Sequence, residues 1–309
     1  MIEPLQRYGL ILKMPRNRLK KSFFRKKIVS LRRQLLKKNM IFVHDKGRMA
    51  NNILQYGHVY AWGREHGRKT MSMRFAYKYP WFNICHTRHH NFPTYVFAKY
   101  AAKIGLIPTV RFDEEDADYS REEKRMLTKR MVLVAGWYAR WYELFLKYKS
   151  EILQLFAFDE AVERKVKERL GEKNDIRLGV HIRRGDYATF HGGRFFYSDQ
   201  QYVDLVRRYH ENCCPTEHLS VFFCTNDPKI DKNFYRKQLS DFSVHFPEGN
   251  PAEDLCLLSH CDCLMGAPST FTLVAAMYRD LPLYWIENPE KSISKADFGH
   301  FDDLFRHIV

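Results

Sequence analysis

Short apolar runs alternate with amphipathic segments in the second half of the chain, and this alternation restricts the fold more than any other feature. From residue 174 onward, strands are predicted at 178–182, 221–224, 242–246, 263–265 and 283–286, with helical segments between them. Strands that are joined through helices run parallel, with helices on both faces of the sheet. The sequence therefore predicts an α/β architecture.

The first half of the chain has weaker periodicity. The predicted elements are strands at 41–43 and 131–135 and helices through 53–60 and 161–170. Ser120 with Glu123 is typical of a capping box, and Gly171 is typical of a helix end. Residues 71–110 are aromatic and basic without a clean period and receive no assignment. A chain of 309 residues is long enough for two domains, which we place at 41–172 and 173–309 behind an arm at 1–40.

The arm is strongly basic and amphipathic. Thirteen Lys or Arg residues lie between Arg7 and Lys38, Glu3 is the only acidic residue before Asp45, and Phe and Leu residues are interleaved with the cations. This composition suits an anionic membrane surface, in which cations bind headgroups and apolar side chains lie below them. A solvated arm and a nucleic-acid partner are the alternatives, of which nucleic acid is the one that we expect least.

The chain has no run of about 18 apolar residues and no apolar run after its basic N-terminus, so we expect neither a spanning helix nor a signal peptide. Seven cysteines cannot all pair, and none lies in a CxxC pattern. A reduced compartment is the simpler interpretation. We therefore expect a cytoplasmic protein, which the arm could attach to the inner face of the membrane.

Three cysteines, Cys256, Cys261 and Cys263, lie near His260 in the sequence, which raises the hypothesis of a zinc site. Their spacing matches no standard zinc motif, and Cys256 lies within an apolar segment. We expect these cysteines to be buried as small apolar side chains.

Polar loops follow three of the predicted strands, at 181–186, 225–227 and 266–270. Open parallel sheets bind ligands at the carboxyl ends of their strands, so these loops form the candidate site. Arg183 and Arg184 follow a buried strand, where a diphosphate would explain two guanidinium groups. Because successive strand residues point to opposite faces, one arginine can face the ligand while the other pairs with a carboxylate. Structural ion pairs for both arginines are the alternative.

Ser269 and Thr270 lie directly before a predicted helix. Their ordinary role would be to cap that helix, and the N–H groups of its first turn also attract anions. Together with the arginine loop they form a two-sided phosphate clamp. A third helix start is predicted at 226–228.

The segment HIRRGD at 181–186 resembles the HxRRxD motif of GDP-fucose-dependent transferases, especially the α-1,2-fucosyltransferases of glycosyltransferase family 11. Three further segments resemble that family in the same order. Residues 51–56 resemble its GLGNQxFQY segment, 136–142 its aromatic middle segment, and 254–271 its late block before a helix. The resemblance covers roughly residues 41 to 290 and leaves the arm outside.

This resemblance implies a GT-B-like fold of two Rossmann-like domains with parallel sheets, in which 41–172 is the acceptor side and 173–309 binds the GDP-sugar. In it, Arg183 would bind the β-phosphate and Asp254 the guanine. The donor-binding residues implied or inferred are Asn51, His181, Arg183, Arg184, Asp254, Ser269 and Thr270. The implied reaction inverts the anomeric carbon and needs no metal or other cofactor, with GDP-fucose as the donor substrate.

The expected function is transfer of fucose to a glycan or lipid-linked oligosaccharide, in α-1,2 linkage to galactose. Another GDP-sugar or linkage is one alternative, and a non-catalytic protein that binds polyanions or membranes is another. The chain departs from the family at 48–52, where Arg48 and Ala50 stand in place of glycines and Asn52 in place of glutamine. A side chain there can obstruct close approach of the backbone to the donor.

Negative charge grows on GDP as the sugar–phosphate bond breaks, and Arg183 could stabilise it. The acceptor hydroxyl must lose a proton, for which Asp186 and His191 are the nearest titratable candidates.

Three other patterns have ordinary explanations. The DxD pattern at 116–118 is interpreted as solvated surface, and the histidines His86, His89 and His90 as basic surface. The aromatic residues Trp137, Tyr138, Trp141 and Tyr142 could stack on sugar rings but are expected to be core.

Overall fold

A computed structural model describes residues 39–308 of the chain. The basic arm predicted at 1–40 therefore lies almost entirely outside the described residues.

The first sheet has four parallel strands in the order β2-β1-β4-β3. These strands are β1 (Met40–His44), β2 (Lys69–Ser72), β3 (Thr109–Arg111) and β4 (Met131–Ala135). The helices of this half are α1 (Met49–Glu65), α2 (Phe92–Lys103), α3 (Tyr119–Thr128), α4 (Tyr142–Lys147) and α5 (Lys149–Leu155). The residues without a sequence assignment, 71–110, contain the end of β2, a 3₁₀ turn, α2 and the start of β3.

The second sheet has five parallel strands in the order β7-β6-β5-β8-β9. Its strands are β5 (Ile176–Ile182), β6 (Leu219–Thr225), β7 (Ser243–His245), β8 (Cys263–Gly266) and β9 (Leu283–Trp285). The helices are α6 (Glu160–Leu170), α7 (Asp199–Cys213), α8 (Lys232–Gln238), α9 (Pro251–Ser259), α10 (Thr270–Met277) and α11 (Phe301–Leu304). The predicted α/β architecture with parallel sheets is confirmed.

Local sequence signals explain most element boundaries. Ser198 and Gln201 form a reciprocal capping box at the start of α7. Gly171 ends α6 with a φ of 60°, a backbone conformation that glycine adopts without a steric penalty. The strand β5 is buried along its length beyond Ile176, because helices cover both of its faces.

Two predicted helix starts are wrong. The helix α3 is capped by Asp118, whose Oδ1 accepts from Arg121 N at 3.0 Å, so that Ser120 lies inside the helix. The helix α8 is capped by Asp231, and 226–228 forms a loop instead. In both places a nearby aspartate provides a better acceptor for the free N–H groups of the first turn.

The two halves share one apolar core. The side chains of Phe301 and Phe305, which follow the second sheet in the chain, pack on Phe145 of α4 with ring centroids 5.9 and 4.5 Å apart. Phe305 also stacks on His58 of α1 at 5.0 Å. The chain therefore returns to its first half after completing the second sheet. Among residues 39–308, no helix combines the length and apolarity that crossing a bilayer requires.

Candidate active site

The carboxyl ends of both sheets face a shared cavity of about 1070 Å³. The loops after β1, β5, β6 and β8 line it. Pro251 and Asp254, which follow β7 in the chain, also line the cavity. Trp285 and Glu287, which belong to β9 and the loop after it, are further lining residues. Ligands bind at this position in open parallel sheets.

Arg183 faces the cavity from the loop after β5. Its Nη2 donates to Asp186 Oδ2 at 2.8 Å, and Asp186 Oδ1 lies 3.5 Å from Arg48 Nη2 of the first half. The Nε–H of Arg183 is buried and has no hydrogen-bond partner. One carboxylate thus holds two guanidinium groups at the cavity wall, and one of them retains a free donor for an anion.

Arg184 points the other way and does not line the cavity. Its guanidinium donates to the carbonyl of Tyr197 and to Asp199, and its backbone N–H donates to Asn226 Oδ1 at 2.8 Å. The alternation of side chains along extended backbone separates the two adjacent arginines. In this structure Arg184 holds the loop after β5, in place of the predicted contact with the donor.

The start of α10 lines the same cavity as Arg183. Ser269 caps α10, since its Oγ accepts from Thr272 N at 3.3 Å. Thr270 Oγ1 donates to Asn51 Oδ1, which brings the loop after β1 against the start of α10. The sequence placed Asn51 in the first half and Thr270 in the second, and the structure brings them together at the predicted site.

His181 is buried beneath these groups, with its ring 4.8 Å from the Phe271 ring and its Nδ1 without a hydrogen-bond partner. Burial, together with the positive charges of Arg183 and Arg48, lowers the pKa of His181 to about 3. The imidazole is therefore neutral at physiological pH and can offer a hydrogen bond without adding charge.

Asp254 lies in the first turn of α9 and lines the cavity. Burial raises the pKa of its carboxyl to about 7, although Arg169 opposes the shift. Burying an ionised carboxylate without a hydrogen-bond donor is costly. A buried carboxyl with a shifted pKa in a cavity therefore indicates a site in which a ligand supplies the donor.

The loop after β5 also carries His191, which lines the cavity between Phe190 and Phe195. His191 has a φ of 48°, in the left-handed region that non-glycine residues seldom adopt. Gly192 and Gly193 follow with positive φ angles. Strained backbone of this kind is concentrated at functional sites.

The sequence profile of glycosyl transferase family 11 matches residues 117–280, which is more than half of the chain and includes most of these loops. The chain belongs to this family. A galactoside 2-alpha-L-fucosyltransferase of Bos taurus, SEC1, is 24% identical to this family 11 enzyme over 269 residues, which cover 81% of this chain and 67% of the bovine protein.

Solved structures show the same fold at low identity. A variant of Arabidopsis thaliana FUT1 in complex with GDP superposes with a TM-score of 0.57 and 12% identity, over 91% of this chain and 80% of that one. POFUT1 in complex with GDP-fucose superposes with a TM-score of 0.54 and 10% identity, over 80% of this chain and 95% of that one. The family 11 enzyme thus has the predicted GT-B-like fold.

Several cavity residues of this glycosyltransferase were not found from the sequence. They are Lys78, Tyr79, Trp81, Trp285, Glu287, His307 and Ile308. The strand-end rule could have found Trp285 and Glu287, because they close a predicted strand. Lys78 to Trp81 follow β2 in the unassigned region, and His307 reaches the cavity only because the chain end folds back.

Of the four aromatic residues after β4, only Trp137 lines the cavity. Its ring stacks under the Arg140 guanidinium, 3.9 Å from the ring centroid. Trp141 instead donates from Nε1 to Glu123 in the core, which bears out the interpretation of this residue as core.

The DxD pattern and the histidines at 86–90 do not line the cavity of this family 11 enzyme. Asp118 caps α3, His86 pairs with Asp159 at 3.1 Å, and His90 is buried and accepts from Ser72 N at 3.0 Å. His90 is therefore not basic surface, contrary to the prediction.

The three cysteines near His260 are buried, as predicted. Cys256 of α9 and His260, which directly follows that helix, come together with Glu163 of α6, with their ligand atoms within 4.8 Å. His260 Nε2 lies 3.3 Å from Glu163 Oε2, and His260 Nδ1 forms an ordinary hydrogen bond with the Cys256 carbonyl at 2.8 Å.

Proposed function

We propose that this family 11 glycosyltransferase transfers fucose from GDP-fucose to a glycan hydroxyl, with inversion at the anomeric carbon, without a metal, and in α-1,2 linkage to galactose. The name of the bovine relative, a galactoside 2-alpha-L-fucosyltransferase, supports the sugar and the linkage. The GDP and GDP-fucose in the two solved structures support the donor.

The observation that carries the proposal is the buried, unpartnered Nε–H of Arg183, a residue that lines the same cavity as the first turn of α10. A donor β-phosphate between them would receive a guanidinium hydrogen bond and the N–H groups at the start of α10. The guanine would then extend toward Asp254, whose carboxylate accepts from the N–H groups of that base.

The acceptor would occupy the part of the cavity that Trp137, Trp285 and Glu287 line. Trp137 and Trp285 offer apolar faces on which a sugar ring can stack, and Glu287 offers an acceptor for its hydroxyl groups. A glycan or lipid-linked oligosaccharide fits this description equally.

In the reaction that we propose, the acceptor oxygen bonds to the anomeric carbon as the bond from that carbon to the β-phosphate oxygen breaks. The electron pair of the broken bond stays on GDP, where Arg183 stabilises it. His191 takes the proton of the acceptor hydroxyl. We favour His191 over Asp186 because both oxygens of Asp186 already face guanidinium groups.

The same arrangement supports the proposed metal independence, since the guanidinium would supply the charge that a divalent cation supplies in metal-dependent transferases. Asp116 and Asp118, which form the DxD pattern, do not belong to the residues that line the cavity.

The test is GDP release from GDP-fucose by the full-length protein in EDTA, with and without a galactoside acceptor. Arg183→Ala should reduce the rate by about 100-fold or more, whereas the exposed Arg236→Ala should not. GDP binding is measured in the same samples by calorimetry. Absence of GDP binding by the native protein would refute the proposal, and faster release from GDP-mannose would replace fucose by another sugar.

A further inference from the structure

The outer face of α2 and the turn after it expose an unusual amount of apolar surface. Phe92, Tyr100, Ile104 and Leu106 are exposed to 58, 56, 69 and 66% of their maximum area. Tyr77, exposed to 43%, joins them through Tyr95, since the Tyr77 and Tyr95 ring centroids lie 4.5 Å apart. We call this surface the α2 patch, and its members are Tyr77, Phe92, Tyr95, Tyr100, Ile104 and Leu106.

The patch is the solvent face of a helix whose other face is part of the core. Thr94, Ala98 and Ala101 are buried against the first sheet. Phe92, Lys99, Tyr100 and Lys103 lie on the opposite side at helical spacing. Outward aromatic and aliphatic side chains on an otherwise ordinary surface helix mark an interaction site.

The patch is cationic and lacks acidic neighbours in the sequence. Residues 66–112 contain eight Lys or Arg residues and no Asp or Glu. Lys99 Nζ lies 5.7 Å from the centroid of the Tyr95 ring and 6.0 Å from that of Tyr100, so that its stem lies along the apolar surface. Lysines arranged in this way keep their charge at the level of a polar headgroup while their methylenes stay in apolar contact.

The position of the patch adds a second argument. Five residues separate the end of α2 at Lys103 from the start of β3 at Thr109, so Ile104 and Leu106 lie near the amino ends of the parallel strands. The strand β1 begins at that same edge, with Met40. The basic segment of residues 1–38, with its thirteen cations, is therefore attached to the chain on the side where the patch ends.

We propose that the α2 patch binds the surface of an anionic lipid bilayer. Apolar and aromatic side chains enter the headgroup boundary, and Lys99 and Lys103 bind anionic headgroups. Nucleic acid offers phosphates but no layer into which Ile104 and Leu106 could be buried. In a two-fold contact between copies of this chain, lysines would face lysines across the interface.

The experiment is co-sedimentation of the full-length protein with vesicles of phosphatidylcholine alone and with vesicles that also contain phosphatidylglycerol, an anionic lipid. The apolar variant is Ile104→Ser with Leu106→Ser. The matched charge variants are Lys99→Glu with Lys103→Glu in the patch and Lys229→Glu with Lys237→Glu on an exposed surface of the second half. Thermal unfolding confirms that each variant is folded.

We expect the native protein to bind the anionic vesicles and to retain a bound fraction at about 0.5 M salt, where charge–charge attraction is screened. The apolar variant should keep the salt-sensitive binding and lose the salt-resistant fraction by about tenfold. The Lys99/Lys103 variant should bind more weakly than the Lys229/Lys237 variant. Equal binding by the native and apolar proteins would overturn the proposal. Absence of native binding, or a dimer in sedimentation velocity that the apolar variant dissociates, would also overturn it.

Discussion

At the scale of single residues, Arg183 and Arg184 show how one step along extended backbone separates binding from structure. Arg183 faces the cavity with a free N–H, whereas Arg184 is buried among Tyr197, Asp199 and the ring of Phe196. A pair of adjacent arginines therefore indicates a phosphate site without showing which guanidinium faces the phosphate. The two roles can be distinguished by mutation, because loss of Arg183 should weaken ligand binding whereas loss of Arg184 should weaken folding.

We predict that Arg184→Met lowers the free energy of unfolding by about 2–3 kcal/mol, because it removes charge-assisted hydrogen bonds from a buried loop anchor. Arg183→Met should leave stability nearly unchanged and weaken GDP binding instead. Urea unfolding and calorimetry with GDP measure the two effects. The same stability loss in both variants would contradict the division of roles.

A second prediction concerns the pH dependence at Asp254, whose pKa burial raises to about 7. If the carboxylate accepts from guanine, only its ionised form binds well, and the ionised fraction rises as pH increases through 7. The Kd for GDP should therefore fall by about tenfold between pH 6 and pH 8. Asp254→Asn should remove this dependence, apart from the part that belongs to the phosphate group of the nucleotide, which itself titrates near pH 6. Identical profiles for both proteins would exclude Asp254 from guanine recognition.

At the scale of elements, the sequence predicted the second sheet well and the first sheet only in part. The strands β5, β6 and β8 are short apolar runs between clear turns, so pattern and structure agree. Residues 71–110 received no assignment from the sequence for two reasons. The strands β2 and β3 contain only four and three residues, and α2 exposes aromatic residues on the face where polar residues are expected. Periodicity cannot identify a helix that is apolar on both faces.

Gly136 is an element boundary that only glycine can occupy. It ends β4 with a φ of 114°, and a Cβ atom there would lie 2.1 Å from the carbonyl oxygen of Phe112. Gly136→Ala should lower the free energy of unfolding by about 3–4 kcal/mol, since the carbonyl of Phe112 must move.

Gly67→Ala is the matched control. Gly67 also has a positive φ, of 61°, but a Cβ atom there would meet no heavy atom within 4 Å. Its cost should be about 1–2 kcal/mol, from the backbone conformation alone. Chemical denaturation compares the two, and equal losses would show that the contact with Phe112 does not matter.

At the scale of the whole molecule, the return of the chain end couples the two halves. Phe305 follows the second sheet but is fully buried against α1 and α4. We predict that Phe305→Ala destabilises the first half by about 3–5 kcal/mol and accelerates hydrogen exchange in α1 and α4. Leu127→Ala, at a side chain that is 51% exposed, is the control with little expected effect. Exchange that increases only in the second half would show that the halves are independent.

The sequence could predict those parts of the candidate site that lie in loops directly after strands. Arg183 and Ser269 follow strands of the second sheet, and one topological rule locates them, whereas Asp254 was assigned through the family resemblance alone. The contributions of Trp81 and His307 depend on how the two halves pack, which no local pattern encodes. Asn51 was found only because its segment resembles a family, even though Arg48 and Ala50 replace that segment's glycines.

The hydrogen bonds of the cavity also have a kinetic consequence. Arg183 and Arg48 both contact Asp186, and the Thr270 hydroxyl donates to Asn51. A nucleotide that hydrogen-bonds to these groups, in addition to the unpartnered Nε–H of Arg183, must take them from partners inside the protein, and its departure lets them pair again. For these groups binding is an exchange of partners, which lowers the net affinity for each contact. The internal pairs that form again would therefore favour release of the spent nucleotide.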